Sequence, residues 1–150
     1  MEQSPVTLTQ RGLHEGDRAV RFSLPLTAWE RGRSRYQTQT QDGQNIHLRL
    51  PRGTVLQPGE VLYSEAGDIA VKIVAQPERV LEVTAESDLA LLRAAYHLGN
   101  RHVAVELTSD YLRLEVDPVL QKMLEQLGLH VVEKVAPFQP ETGAYHHGDR

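Results

Sequence analysis

The sequence predicts an α+β protein: an all-β first half, then a second half in which four strands alternate with two helices. Three observations carry this reading. Before residue 75 the chain alternates apolar and polar residues between glycine turns, a period that belongs to strands. Helix-start signals are found only later, at Ser87 and at Asp117-Pro118. Between the two regions "AQPER" (residues 75–79) marks a hinge where the pattern changes.

In the first half "PVTLTQ" alternates, and "GDRAVRFSLPLTAWERG" supplies an extended segment followed by a glycine turn. "RSRYQTQTQDGQNIHLRL" is a hairpin around Asp42-Gly43, since Asp-Gly between alternating segments is a strong local hairpin signal. "LPRGTVLQPGEVLYSEAGDIAVKIVA" continues as short strands broken at Arg52-Gly53, Pro58-Gly59 and Ala66-Gly67. No helix is expected before residue 80. Residues 1–74 therefore read as a small β domain.

In the second half "RVLEVTA" is a strand, and Ser87 caps a helix through "DLALLRAAYHL" that sets Leu89, Leu92, Ala95 and Tyr96 on one face. Gly99 supplies the stop. "HVAVEL" and "YLRLEV" are strands joined by Thr108-Ser109-Asp110. Asp117 followed by proline opens the second helix, Gly128 closes it, and "LHVVEKVA" is the last strand. The order is βαββαβ, a ferredoxin-like sandwich over residues 75–136. Residues 137–150, "PFQPETGAYHHGDR", have no periodicity and read as a flexible tail.

Composition narrows the function. A chain of 150 residues with few aromatics builds its cores from Leu, Val, Ile and Ala. No apolar run approaches the ~18 residues of a membrane span. "MEQSPVTLTQRG" lacks the basic and apolar regions of a signal peptide, so a cytoplasmic protein without membrane attachment is expected. The absence of cysteine removes disulfides, thiolate catalysis and Cys-based zinc sites. A net charge of −4 argues against a nucleic-acid partner. Residues 76–150 hold 12 Asp/Glu against 7 Lys/Arg and five of the seven histidines, a combination suited to a divalent cation.

Enzyme motifs are absent: no Walker loop, dinucleotide fingerprint or nucleophile elbow, and no convincing carboxylate pair. Histidine is the remaining chemistry. Neutral imidazole with oxygen donors suits nickel, copper or zinc. His102, opening a strand after a turn, is either hydrogen-bonded to backbone or a ligand. His97 lies in a last helical turn, where a protonated ring meets the negative end of the dipole. His146 and His147 are either a solvated tail or a mobile arm that reaches a fixed ligand. His14, His47 and His130 read as structural. Arg31, Arg33 and Arg35 alternate, which places three guanidinium groups together on a guarded strand edge or on a docking surface for an acidic partner.

"YHLGNRH" (residues 96–102) resembles the signature of the UreE-type urease accessory proteins, nickel metallochaperones. The resemblance extends to "LTAWERGRSRYQTQTQDGQNIHLRLPRGTVLQPGEVL" and to "LEQLGLHVVEKVAPFQPETGAY", nearly the whole chain. It implies an N-terminal peptide-binding-like domain and a ferredoxin-like domain that binds metal and forms a homodimer. It also implies a Ni2+ site shared across the dimer interface by His102 of each chain and completed by His146 and His147. The implied partners are a UreG-type GTPase and the urease apoprotein with its other accessory proteins. Two departures follow: only two tail histidines stand where some members carry many, and "LEVDPVL" lacks a histidine pair found in others before the second helix. A lean chaperone with about one nickel per dimer is what remains. The alternatives are a protein-interaction scaffold with incidental metal, and a general Zn2+ or Cu2+ buffer.

Overall fold

The computed structural model describes residues 4–12 and 19–141. The chain divides between Gln76 and Pro77 into two compact units, each with its own sheet.

The first unit contains β1 (Val6–Arg11), β2 (Phe22–Leu26), β3 (Arg35–Gln39), β4 (Asn45–Arg49), β5 (Val61–Ser64) and β6 (Ala70–Ala75). They form one sheet in the order β2-β6-β5-β1-β4-β3. Pairing is parallel for β1/β4 and β2/β6 and antiparallel for the other neighbours. Alternate positions (Leu24 and Leu26, Ile46 and Leu48) point into a single aliphatic core. Pro25 is tolerated in β2 because this strand is an edge and its missing donor breaks no ladder.

The expected hairpin joins β3 to β4, but Asp42-Gly43 does not act alone. Gly43 takes φ 89° while Asp42 stays at negative φ. The N–H of Gly43 donates to the Thr40 carbonyl (3.0 Å) and that of Gln44 to Thr40 Oγ1 (3.1 Å). The connection is therefore a three-residue loop with glycine in the left-handed position.

One element departs from expectation. A short helix, α1 (Ala28–Arg31), precedes residue 80. "TAWE" is a capping box: the Glu30 N–H donates to Thr27 Oγ1 (3.3 Å), and the Thr27 N–H donates to Glu30 Oε1 (2.8 Å). Two satisfied donors per turn let four residues hold a helix that periodicity over so short a window does not reveal.

The second unit runs β7 (Glu78–Thr84), α2 (Asp88–Asn100), β8 (Glu106–Leu107), β9 (Leu112–Glu115), α3 (Pro118–Gln126) and β10 (His130–Ala136). Its sheet has the order β10-β7-β9-β8, antiparallel throughout. Ser87 Oγ accepts from the Ala90 N–H, and Asp117 Oδ1 accepts from Val119 and Leu120, so both anticipated caps form. One sheet face packs Leu81, Val83, Leu112 and Leu114 against Leu91, Ala94, Leu98 and Leu124 of the helices. Each fully buried leucine contributes about 1.5–3 kcal/mol.

The stretch 137–141 does not behave as a free tail. Phe138 is 0% exposed and Pro140 is buried. Hydrogen bonds from Arg113 to the Pro137 carbonyl, from the Gln139 N–H to Glu106 and from the Glu141 N–H to the Val105 carbonyl keep the chain attached to the unit through Glu141. Two apolar side chains and three hydrogen-bonded points hold a segment whose prolines and lack of periodicity suggested none.

Candidate metal site

The site residue singled out from sequence, His102, sits where helix α2 ends. Arg101 caps the helix; His102 follows it, and its N–H donates to the Gly99 carbonyl (3.0 Å). The Val103 N–H then donates to the Leu98 carbonyl (3.1 Å). These two bonds are a Schellman motif, and Leu98 with Val103 supplies its apolar contact in the core. The motif demands a left-handed residue, and His102 takes it, at φ 60°.

That placement corrects two expectations. His102 does not open a strand; residues 103–105 are irregular and β8 begins only at Glu106. Gly99 is not the stop, for it lies inside α2 without a positive φ. Among the described residues His102 is the only non-glycine residue in the left-handed region. An L side chain costs about 1 kcal/mol there, although histidine bears it better than most. Its ring is exposed, and a Cβ placed at Gly99 would meet nothing within 4 Å, so the surface around the turn is open.

The helix face beside the turn is also not the one a monomer needs. Leu91, Ala94 and Leu98 enter the core, whereas Leu89, Leu92 and Tyr96 are 55%, 66% and 67% exposed. The predicted apolar stripe of α2 thus points outward, with Ala95 alone partly buried, and leads at helical spacing toward Gly99 and His102.

The other candidates separate. His97 is exposed in the last turn of α2, edge-on to Tyr96 with ring centres 5.7 Å apart. His47 and His130 lie in β4 and β10. His14, His146 and His147 lie outside the described residues. Among the described residues no three His, Asp or Glu side chains form a metal-ligand cluster.

The arginine triad does not share a face. Arg31 is buried and donates to the Leu26 carbonyl (2.8 Å), locking α1 onto β2. Arg33 lies over the Trp29 ring at 4.8 Å, and Arg35 is exposed opposite Arg49 on the edge strand β3.

On the helix-free face of the second sheet, charge is laid in a row. Glu82 accepts from Arg113 (2.9 and 3.0 Å) and from Lys134 (3.0 Å), and Glu106 stands 4.0 Å from Arg113. Burial raises the Glu82 carboxyl, but the bonds from Lys134 and Arg113 together outweigh it and hold it below its ordinary 4.5.

The family model for the UreE urease accessory protein, N-terminal domain, matches residues 6–76, and that for its C-terminal domain matches residues 78–150. The chain belongs to the UreE family. The urease accessory protein UreE of Nostoc punctiforme is 54% identical over 144 residues, covering 95% of this chain and 97% of that protein. Those of Microcystis aeruginosa (58% over 128 residues, 85% and 80%) and Thermosynechococcus vestitus (51% over 140 residues, 93% and 97%) are similar. In this UreE-family chain the feature that sequence reading missed is the left-handed turn at His102. Its signal was present: Leu98 and Val103 flank the break as the apolar pair of a Schellman motif, with no glycine between positions 100 and 103.

Proposed function

We propose that this chain is a nickel metallochaperone of urease maturation and not an enzyme. In this reading Ni2+ is its cargo, held by His102 from each of two copies in a homodimer and by His146 and His147 of the tails. The observation that carries the proposal is the conformation of His102. A strained, exposed imidazole at a helix end, where glycine would be cheaper, points to a role outside the fold. The open surface at Gly99 and the exposed stripe of Leu89, Leu92 and Tyr96 support a two-fold contact there, since residues near such an axis meet their own copies. Two neutral imidazoles form an incomplete shell. Tail imidazoles or water would complete it, and weakly held ligands of that kind would let the ion leave.

The βαββαβ unit is, on this view, the ferredoxin-like metal-binding and dimerisation domain (75–136). The β-rich region 1–74 is the peptide-binding-like domain, and 137–150 carries the tail ligands. The partners are a UreG-type GTPase and the urease apoprotein with its accessory proteins, in the cytoplasm. Zn2+ or Cu2+ binding in vitro is compatible with this role, because imidazole affinity follows the divalent series and delivery does not.

Nickel titration by calorimetry, with mass from light scattering, tests the reading on the wild type and on His102→Ala. Loss of a tight site of about one ion per dimer, with the dimer intact, is the expected result. An unchanged isotherm would make the turn architectural.

A second reading, an interaction scaffold, is favoured by the exposed Trp29 with Arg33 over its ring and, apart from them, by the exposed Arg35 opposite Arg49 on the edge strand β3. It requires that capture of the urease proteins survive His102→Ala and fail in Trp29→Ala/Arg35→Glu.

A further inference from the structure

We propose that Pro137–Glu141 is a strap that carries the chain across the second sheet and starts the C-terminal tail beside the His102 turn, with Glu106 as its positioning residue. The proposal rests on the nickel reading for its consequence, though not for its geometry.

The route is set by five residues. β10 is one edge of the sheet and β8 the other. After Ala136, the Pro137 carbonyl accepts from Arg113 Nη1 (3.2 Å). The Gln139 N–H donates to Glu106 Oε1 (2.9 Å), and the Glu141 N–H donates to the Val105 carbonyl (2.9 Å). Leu112 and Leu114 face the helices, so Arg113 between them lies on the opposite side. The strap therefore crosses the helix-free face from β10 past β7 and β9 to β8. Three strand spacings amount to about 14 Å, and five extended residues reach about 17 Å. Phe138 and Pro140 are buried on the way.

The strap ends three residues from His102. Val105 lies within about 11 Å of it along the chain, and Glu141 to His146 spans up to about 18 Å. Fixed at Glu141, the tail imidazoles are tethered within reach of the turn. Released, the tether would begin at Ala136 on the far edge of the sheet, and its length to His146 would double from five residues to ten. Effective concentration falls roughly as the −3/2 power of tether length, so release alone dilutes the tail ligands about threefold, and the displaced origin adds to that.

Two measurements test this on the full chain. Cysteine is absent, so Tyr145→Cys takes a single nitroxide label. Without metal, the label is expected to broaden the amide signals of Val103–Val105 and to lose that effect in Glu106→Leu/Phe138→Ala. Unbroadened signals in the otherwise wild-type chain would overturn the strap whatever the protein binds. Nickel calorimetry follows. The released variant should bind at least about threefold more weakly than wild type, and Glu106→Gln, which keeps an acceptor oxygen, should not. In chains ending at Glu141 the released and unreleased forms should bind alike. Equal weakening in the truncated chains would mean that the substitutions act on the fold, and would remove the positioning role. If Phe138→Ala disturbs the amide signals of residues 78–136, Glu106→Leu alone replaces it. Broadening with no nickel bound by any chain would leave the strap standing and sink the nickel reading instead.

Discussion

His102 and Gly128 occupy the same place in two successive helix ends. Each follows its cap residue, each is left-handed (φ 60° and 89°), and each is bracketed by a backbone bond of the following residue to a buried leucine carbonyl, Val103 to Leu98 and Leu129 to Leu124 (both 3.1 Å). At α3 the position holds glycine, the residue that the geometry prefers; at α2 it holds imidazole. The comparison separates what the fold needs from what the surface does. His102→Gly is expected to leave unfolding free energy unchanged or raised by up to about 1 kcal/mol, since it relieves a left-handed side chain at some cost in unfolded-state entropy. The same substitution should abolish tight nickel binding. Chemical denaturation of both proteins checks this, and a loss of more than about 1 kcal/mol would show that the ring stabilises the chain itself.

The outward stripe of α2 gives a second prediction. Leu92→Glu/Tyr96→Glu replaces two exposed side chains and no buried one, and should leave the fold intact. It should also convert a dimer to a monomer in light scattering, because charge buried at a contact without a partner is costly. The tight nickel site should vanish with the dimer. A monomer that still binds nickel tightly would place the ligands within one chain.

Acid should act twice. Glu82 is held below its ordinary 4.5 in the folded chain, so its contribution to stability is complete above that value. It is lost as pH falls through the lowered folded value, as the unfolded state takes up the proton first. Stability of the second unit should therefore decline below about pH 4.5, less steeply in Glu82→Gln. Nickel release should precede it, below about pH 6, since metal-bound imidazole competes with protons. A single transition for both would mean that the ion leaves only on unfolding.

Local chemistry was the legible part of this chain. Ser87, Asp117, Pro118 and Gly128 were readable as helix punctuation because each acts on backbone groups within four residues. His102 was legible as a candidate but not as a conformation, since the Asn100–Val103 stretch reads equally as the start of a strand until the Leu98–Val103 contact is known. The face of α2 was ambiguous for a different reason. Leu89, Leu92 and Tyr96 form one apolar stripe and Leu91, Ala94 and Leu98 another, and periodicity alone does not say which is covered. The strap was illegible altogether: its anchors, Arg113, Glu106 and Val105, lie 24 or more residues away in sequence, and nothing in "PFQPE" announces them.

Glu30 joins three groups, and that supplies the last prediction. Its carboxylate accepts from the Thr27 N–H at 2.8 Å and from the Tyr36 hydroxyl at 2.6 Å, while its own N–H completes the capping box. The bond to Glu30 is the main cause that raises the Tyr36 phenol above its ordinary 10.0, with burial adding to it. A raised folded value means that this bond stabilises the chain at neutral pH and is lost as pH climbs through it. Trp29, the single tryptophan, lies edge-on to Tyr36 at 6.1 Å and reports on that ring. An alkaline titration of Trp29 fluorescence should show a transition above pH 10 in the wild type, moving down toward the ordinary value in Glu30→Gln. Thr27→Ala, which removes only the other half of the box, should leave the transition in place and cost about 1 kcal/mol of stability. Identical transitions in all three proteins would mean that the Glu30–Tyr36 bond does not persist in solution.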